Sequence, residues 1–302
     1  MVKEPDADSK RIAFEQALAH RREGRSDPRI FEYRQADFAT IPCAPWVYWI
    51  TPGLRSLFRK FKPLKNVAEP RQGLATTDNP RFLRYWWEVG CSRIAFGCRS
   101  LDDARVLTEH WFPYMKGGSF LRWYGNQDQV INFYADGREL KARVEEHTGE
   151  SWSKRVTSTD VYFREGITWS KVASGPFSVR LNPGGFLFDV GGCCAFPDTI
   201  GVHELLGVLN SQCIAGLLKF ISPTVNTEVG QIASLPLPPD IPSSIGPLVR
   251  AAEVLARALC AESETTYDFS APPGWADGIE LVGRRRRELR TLCQQSSENA
   301  VF

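Results

Sequence analysis

The residues of this chain best placed for chemistry are cations and small polar groups set beside glycines. In PYMKGGSFLRWYGN (113–126), Lys116 precedes Gly117 and Gly118, whose bare backbone lets a phosphate approach closely. Arg122 stands among aromatics that would hold its guanidinium, and Asn126 closes the block. In RQGLATTDNPRF (71–82), Arg71 and Gln72 come before Gly73 and a polar turn of Thr76, Thr77, Asp78 and Asn79. Arg71 reads equally as a fork for a guanine edge or a phosphate and as half of a surface ion pair. In GITWSKVASG (166–175), period two sets Trp169 and Lys171 on one face of a strand and Thr168 and Ser170 on the other. Lys171 is therefore the phosphate candidate of that strand, with Ser170 second. Lys154 and Arg155, just after the polar stretch 145–153, read as lying in a mobile loop able to order on a polyanion.

Catalytic constellations are harder to find. The four histidines, His20, His110, His147 and His203, are scattered, and none has the H-E-x-x-H spacing of a helical metal site. There is no P-loop and no G-x-S-x-G nucleophile turn. The eight cysteines, Cys43, Cys91, Cys98, Cys193, Cys194, Cys213, Cys260 and Cys293, include no C-x-x-C pair, so the reading is reduced, buried thiols rather than a zinc or redox site. Asn182-Pro183-Gly184-Gly185 and Asp189-Val190-Gly191-Gly192 are read as hairpin turns.

These groups need a scaffold, and 302 residues with 43% hydrophobic and 24% charged content have room for a sizeable core. No apolar run reaches the ~18 residues of a membrane span, and the first 25 residues lack the apolar stretch of a secretory signal, so the expectation is a cytoplasmic protein. The net charge of +2 divides as +5 over residues 1–66 (13 Lys/Arg, 8 Asp/Glu), −2 over 67–240 (17 and 19) and −1 over 241–302 (7 and 8). A coat that binds nucleic acid by bulk charge would be far more basic, which leaves local clusters to do any such binding.

Residues 10–23 read as an amphipathic helix, 31–49 as an aromatic, proline-punctuated strap, and 52–62 as a basic amphipathic helix. Strand signals dominate 120–190: VINFY (130–134) before an Asp136-Gly137 turn, then GITWSKV, PFSVRL and GFLFDV as a meander of hairpins. Residues 198–220 carry one apolar helical stripe with Asp198 or Thr199 as N-cap, 231–238 look strand-like, and 246–260 form another helix. The run Arg284-Arg285-Arg286-Arg287 reads as a solvated helix face, with a phosphate or targeting role as the alternative.

Several of these segments resemble the C-terminal region of the large adenine-specific DNA methyltransferases of BREX phage-defence systems, the PglX family, a region shared by type IIG restriction-modification enzymes. The matching blocks are QADFATIP (35–42), AEPRQGLATTDNPRFLRYWWEV (68–89), HWFPYMKGGSFLRWYGN (110–126), INFYADGRELK (131–141), GITWSKVASGPFSVRL (166–181), GFLFDVGG (185–192), ELLGVLNS (204–211) and SPTVNTEVGQIASLPLP (222–238). They occur in the family's order and cover roughly 31–240; the first 30 and last 50 or so residues match weakly.

The resemblance implies an α+β chain: an N-terminal helix and strap (1–66), a β-rich target-recognition domain with packed helices (67–240) and a C-terminal helical segment (241–302). Its implied partner is double-stranded DNA, with Arg71, Gln72, Lys116, Arg122, Asn126, Lys154, Arg155, Ser170 and Lys171 as DNA-binding candidates. Methyl transfer to adenine needs a glycine-rich S-adenosylmethionine turn and an Asp/Asn-Pro-Pro-aromatic loop, and neither is in this sequence. The expectation is thus a sequence-reading module without catalytic residues, a fragment, split-gene product or remnant. S-adenosylmethionine would belong to a separate methyltransferase domain, which, with other phage-defence proteins, is a candidate partner. Two other readings stand beside it. The chain is an active or complementing part of the methyltransferase, or it is an interaction scaffold that docks a protein through the strap.

Overall fold

The computed structural model describes residues 6–41, 47, 50–222, 224–269 and 291. The Arg284–Arg287 run, Cys43, Cys293 and most of the second half of the aromatic strap lie outside them. The chain divides into two compact units, 1–60 and 61–302.

In the first unit, α1 (Ala7–Arg22) begins where the Asp6 carboxylate accepts the Ser9 amide at 2.8 Å and ends on His20, Arg21 and Arg22, charges that suit the two ends of the helix dipole. A single turn, α2 (Gln35–Phe38), follows, and the expected basic helix is present as α3 (Pro52–Lys60). One of its cations is not solvated: Arg55 is turned onto Asp37 at 3.2 Å and lies 4.5 Å from the Tyr33 ring centroid.

The second unit contains, in chain order, β1 (Lys62–Pro63), β2 (Ala68–Arg71), α4 (Asn79–Phe82), β3 (Leu83–Tyr85), α5 (Leu101–Val106), β4 (Trp111–Met115), β5 (Gln129–Asn132), α6 (Tyr134–Thr148), β6 (Gly166–Ser170), β7 (Val179–Asn182), β8 (Leu187–Phe188), β9 (Gly192–Pro197), α7 (Val202–Leu209), α8 (Gln212–Ile221), α9 (Val229–Ala233), β10 (Pro236–Leu237) and α10 (Ile245–Cys260). The fold is α+β. One four-stranded sheet has the order β2-β9-β6-β7, a second has β3-β5-β4-β8, and β1 pairs with β10. Their shared core joins Phe112 and Tyr114 of β4, Ile131 of β5, Phe188 of β8, and Cys194 and Phe196 of β9, all fully buried, with Phe133, Tyr162 and Phe163 packed edge-on between them. Each such ring contributes on the order of 1.5–3 kcal/mol by leaving water.

Several local expectations change. The hairpin meander stops after β6–β7, because β8 leaves to pair in parallel with β4 in the other sheet, Tyr114 opposite Leu187. The partner of β6 on its other edge is β9, which sequence reading passed over as the tail of a turn. The Asp136-Gly137 turn exists as three left-handed residues, Ala135, Asp136 and Gly137, and opens a helix rather than a second strand. That helix buries only Leu140 and Val144 beyond the turn, too thin a stripe for periodicity to show. Finally, the 198–220 stripe is two helices meeting at 63°. The buried Asn210 side chain clamps β7, accepting from the Val179 amide at 3.1 Å and donating to the Val179 carbonyl at 2.9 Å, while Ser211 caps the new helix by accepting from Ile214. Expected caps at Asp198 or Thr199 give way to Gly201. The 231–238 segment likewise splits into α9 and the two-residue β10. Among the described residues no single helix is long and apolar enough to cross a membrane.

Residues 73–74 run beside β8, with the Leu74 amide donating to the Phe188 carbonyl at 2.9 Å. A Cβ at Gly73 would overlap that carbonyl, whereas a Cβ at Gly90 meets open space. Gly73→Ala is therefore expected to cost roughly 1–3 kcal/mol in chemical denaturation and Gly90→Ala almost nothing; equal effects would contradict the close approach.

Candidate nucleic-acid interface

The segment joining β4 to β5 carries Lys116, Arg122 and Asn126, and its backbone is unusual. Gly117, Gly118, Trp123, Gly125 and Asn126 all have positive φ, and for Trp123 (74°) and Asn126 (61°) this conformation is costly, of order 1–3 kcal/mol each. Such a path persists only where neighbours over-determine it. Here Ser170 Oγ, at the end of β6, is 3.0 Å from both the amide and the carbonyl of Gly118. Asn126 Nδ2 donates to the Ser119 carbonyl at 2.8 Å. The Trp123 amide donates to the Val179 carbonyl at 3.1 Å, and the Leu181 amide returns to the Trp123 carbonyl at 2.7 Å, which fastens the loop along β7. Gly117 lies against the Gly191 carbonyl and Ser170. Ser170 and Asn126 thus serve this loop as clamps.

The candidate cations differ in what they already hold. Lys116 is half-buried and forms no ion pair among the described residues; burial lowers its pKa, with the charge of Asp189 opposing. Arg122 also lacks a carboxylate partner among them. Its guanidinium lies 5.7 Å from the Phe120 ring centroid and its Nε is buried without a hydrogen bond. Lys171, by contrast, is committed to Glu228 at 3.0 Å, and Lys154 to Glu150 at 2.9 Å. Ser170 and Lys171 do face different neighbours, the loop and α9, as period two requires.

Arg71 is paired with Glu69 and, at 3.4 Å, with Asp160. It belongs to a second group in which the Ser158 hydroxyl donates to the Gln72 carbonyl at 2.9 Å and the Ala75 amide to the Arg155 carbonyl at 2.8 Å. The structure therefore gathers Lys116, Arg122, Asn126 and Ser170 about one loop, with Lys171 adjoining. Arg71, Gln72 and Arg155 gather along the 155–160 turn, next to Lys154.

Three residues of interest were not apparent from sequence. Arg180 alternates with apolar Val179 and Leu181, the pattern of a solvent-facing position, yet it is 1% exposed, on a strand whose edge pairs with Trp123 of the loop. Burial pulls its pKa down to about 10 and raises that of Asp128, each group's charge opposing the other's shift. Gln127 is also 1% exposed, with neither amide atom hydrogen-bonded among the described residues. The third is Phe120, 50% exposed at the loop tip, which only the preceding Gly-Gly-Ser could have marked. The loop is flanked by two cavities, about 200 Å³ beside Ser170 and Thr227 and about 860 Å³ beside Arg122, Gln127 and Leu259. Among the described residues no cluster of His, Cys, Asp or Glu could hold a metal ion.

Ser170 ties the loop to the end of β6, and each of its hydrogen bonds contributes about 0.5–1.5 kcal/mol. Ser170→Ala should therefore speed amide exchange across 117–120 by roughly tenfold or more while the α10 amides stay protected. Unchanged exchange at Gly118 would mean that the loop is held by other means.

No family model matches the sequence. The chain is 36% identical over 210 residues, 69% of its length, to Adenine-specific methyltransferase PglX of Lacticaseibacillus casei (strain Zhang), and 32% identical over 240 residues, 78% of its length, to Adenine-specific methyltransferase BrxX of Escherichia coli O9:H4 (strain HS). These matches take in 17% and 18% of the two relatives, so the chain spans less than a fifth of their length. Among solved structures, the Type IIL restriction-modification enzyme MmeI in complex with DNA aligns at a TM-score of 0.43 and 13% identity, over 79% of this chain and 33% of that one. The chain is a homologue of part of these adenine-specific methyltransferases.

Proposed function

We propose that this chain reads DNA sequence for an adenine-specific DNA methyltransferase of the phage-defence or restriction-modification type. The observation that carries the reading is identity above 30% to two such methyltransferases, over a stretch whose own sequence contains neither an S-adenosylmethionine turn nor an Asp/Asn-Pro-Pro-aromatic loop. The β4–β5 loop supports it physically. Recognition of a duplex requires cations held in register for phosphates and amides or guanidinia presented to base edges. Among the described residues Lys116 and Arg122 have no ion pair, and the backbone that carries them is held by Asn126 and Ser170. Arg71, Lys154 and Lys171 are satisfied by carboxylates at partly exposed sites, where such pairs contribute only about 0–1 kcal/mol, so a phosphate can displace them. Arg155 is exposed and Gln72 is held by its main chain, both at the second group. S-adenosylmethionine and the transfer step belong, in this reading, to a methyltransferase domain outside the sequence described.

Binding of a labelled duplex by the chain should weaken steeply with salt, and the double variant Lys116→Ala/Arg122→Ala should reduce the slope of log K against log salt by about 2, close to 0.9 per lost phosphate contact. Anisotropy titrations between low and physiological salt measure this. A chain that retains no duplex at low salt is not a DNA reader.

A further inference from the structure

Single exposed apolar side chains are ordinary on protein surfaces, but Phe120 differs in its setting. It is half-exposed, with Leu121 beside it at 37%, and it lines both cavities that flank the β4–β5 loop, so the ring forms the ridge between two concavities. The chain is anchored on either side of it. Gly118 is held by Ser170, Ser119 by Asn126, and Trp123 by both strand bonds to β7. The ring cannot retract without breaking those contacts. Leu121 is packed back against Gly125, which leaves Phe120 as the projecting group. The Arg122 guanidinium lies against its ring, and Lys116, four residues earlier, likewise has no ion pair among the described residues.

A rigid apolar projection beside a cation suits a polyanion with a separable apolar interior. Duplex DNA is such a partner, because its base steps can be unstacked by an inserted ring while adjacent phosphates take the cations. Burying the exposed part of a phenyl ring repays energy of the same order as unstacking one step, so insertion is governed by how readily the step opens. We propose that Phe120 is a wedge that enters a base-pair step of duplex DNA, with Arg122 and Lys116 on the flanking phosphates. This rests on the DNA-reading function above and adds to it a distortion of the duplex.

The test compares two labelled duplexes of one sequence, one intact and one with a central abasic site, where a ring fits without unstacking. The wild-type chain should bind the abasic duplex about tenfold more tightly. Phe120→Ala should bind both duplexes alike, with its affinity for the intact one and its salt slope close to wild type, and Phe120→Trp should keep the preference. Equal binding of both duplexes by the wild type, or a preference surviving in Phe120→Ala, would overturn the wedge while leaving the DNA-reading function intact. Failure of either duplex to bind at low salt would remove both.

Discussion

The carboxylate of Asp189 is buried at the turn that joins β8 of one four-stranded sheet to β9 of the other, and segments from three regions of the second unit meet there. One oxygen accepts the Gly191 amide at 2.6 Å and the other the Tyr114 hydroxyl at 2.6 Å, so β8, β9 and β4 meet on a single side chain. A buried carboxylate without such donors would cost several kcal/mol, which makes the turn an all-or-none feature. Its effect on Tyr114 is to raise the phenol's pKa, burial being the larger cause and the Asp189 charge the next. Leu74 completes the junction by pairing with Phe188 and Val190, so three chain segments distant in sequence share one knot of hydrogen bonds.

That knot also sets the candidate interface. Gly117 rests on the Gly191 carbonyl, and Lys116 feels the Asp189 charge. The loop's left-handed residues add strain, and the hydrogen bonds from Ser170, Asn126 and β7 offset it. The arrangement stores little mobility at the point where cations are presented, which is the condition for recognition by geometry rather than by bulk charge.

Charge is distributed on the same principle. The second unit's net charge is close to zero, and among the described residues several of its arginines and lysines are ion-paired with nearby carboxylates, Arg81 with Glu139 and Arg143 with Glu146 among them. Lys116 and Arg122 are among the cations of this unit that have no ion pair among the described residues. Arg180 is a cation taken out of water and opposed by the charge of Asp128, with Nε and one terminal nitrogen lacking partners among the described residues. Its backbone position on β7 is the one paired with Trp123 of the loop.

The sequence by itself determined the features that depend on neighbours within a few residues. These are the amphipathic helices α1, α3 and α10, the β6–β7 hairpin with its two-faced partition of Ser170 and Lys171, and the block of cations beside glycines. Periodicity, caps and turn residues encode such features locally. Only the tertiary structure decided that β8 crosses to the other sheet, that β9 is a central strand, that Asn210 breaks a continuous apolar stripe, and which cations are free. Each of these turns on a partner 25 to 90 residues away, Val179 for Asn210, Tyr114 for Leu187, Asp160 for Arg71. A strand's partner, or a cation's counter-ion, is a property of the folded surface against which it is pressed, and no local pattern carries it.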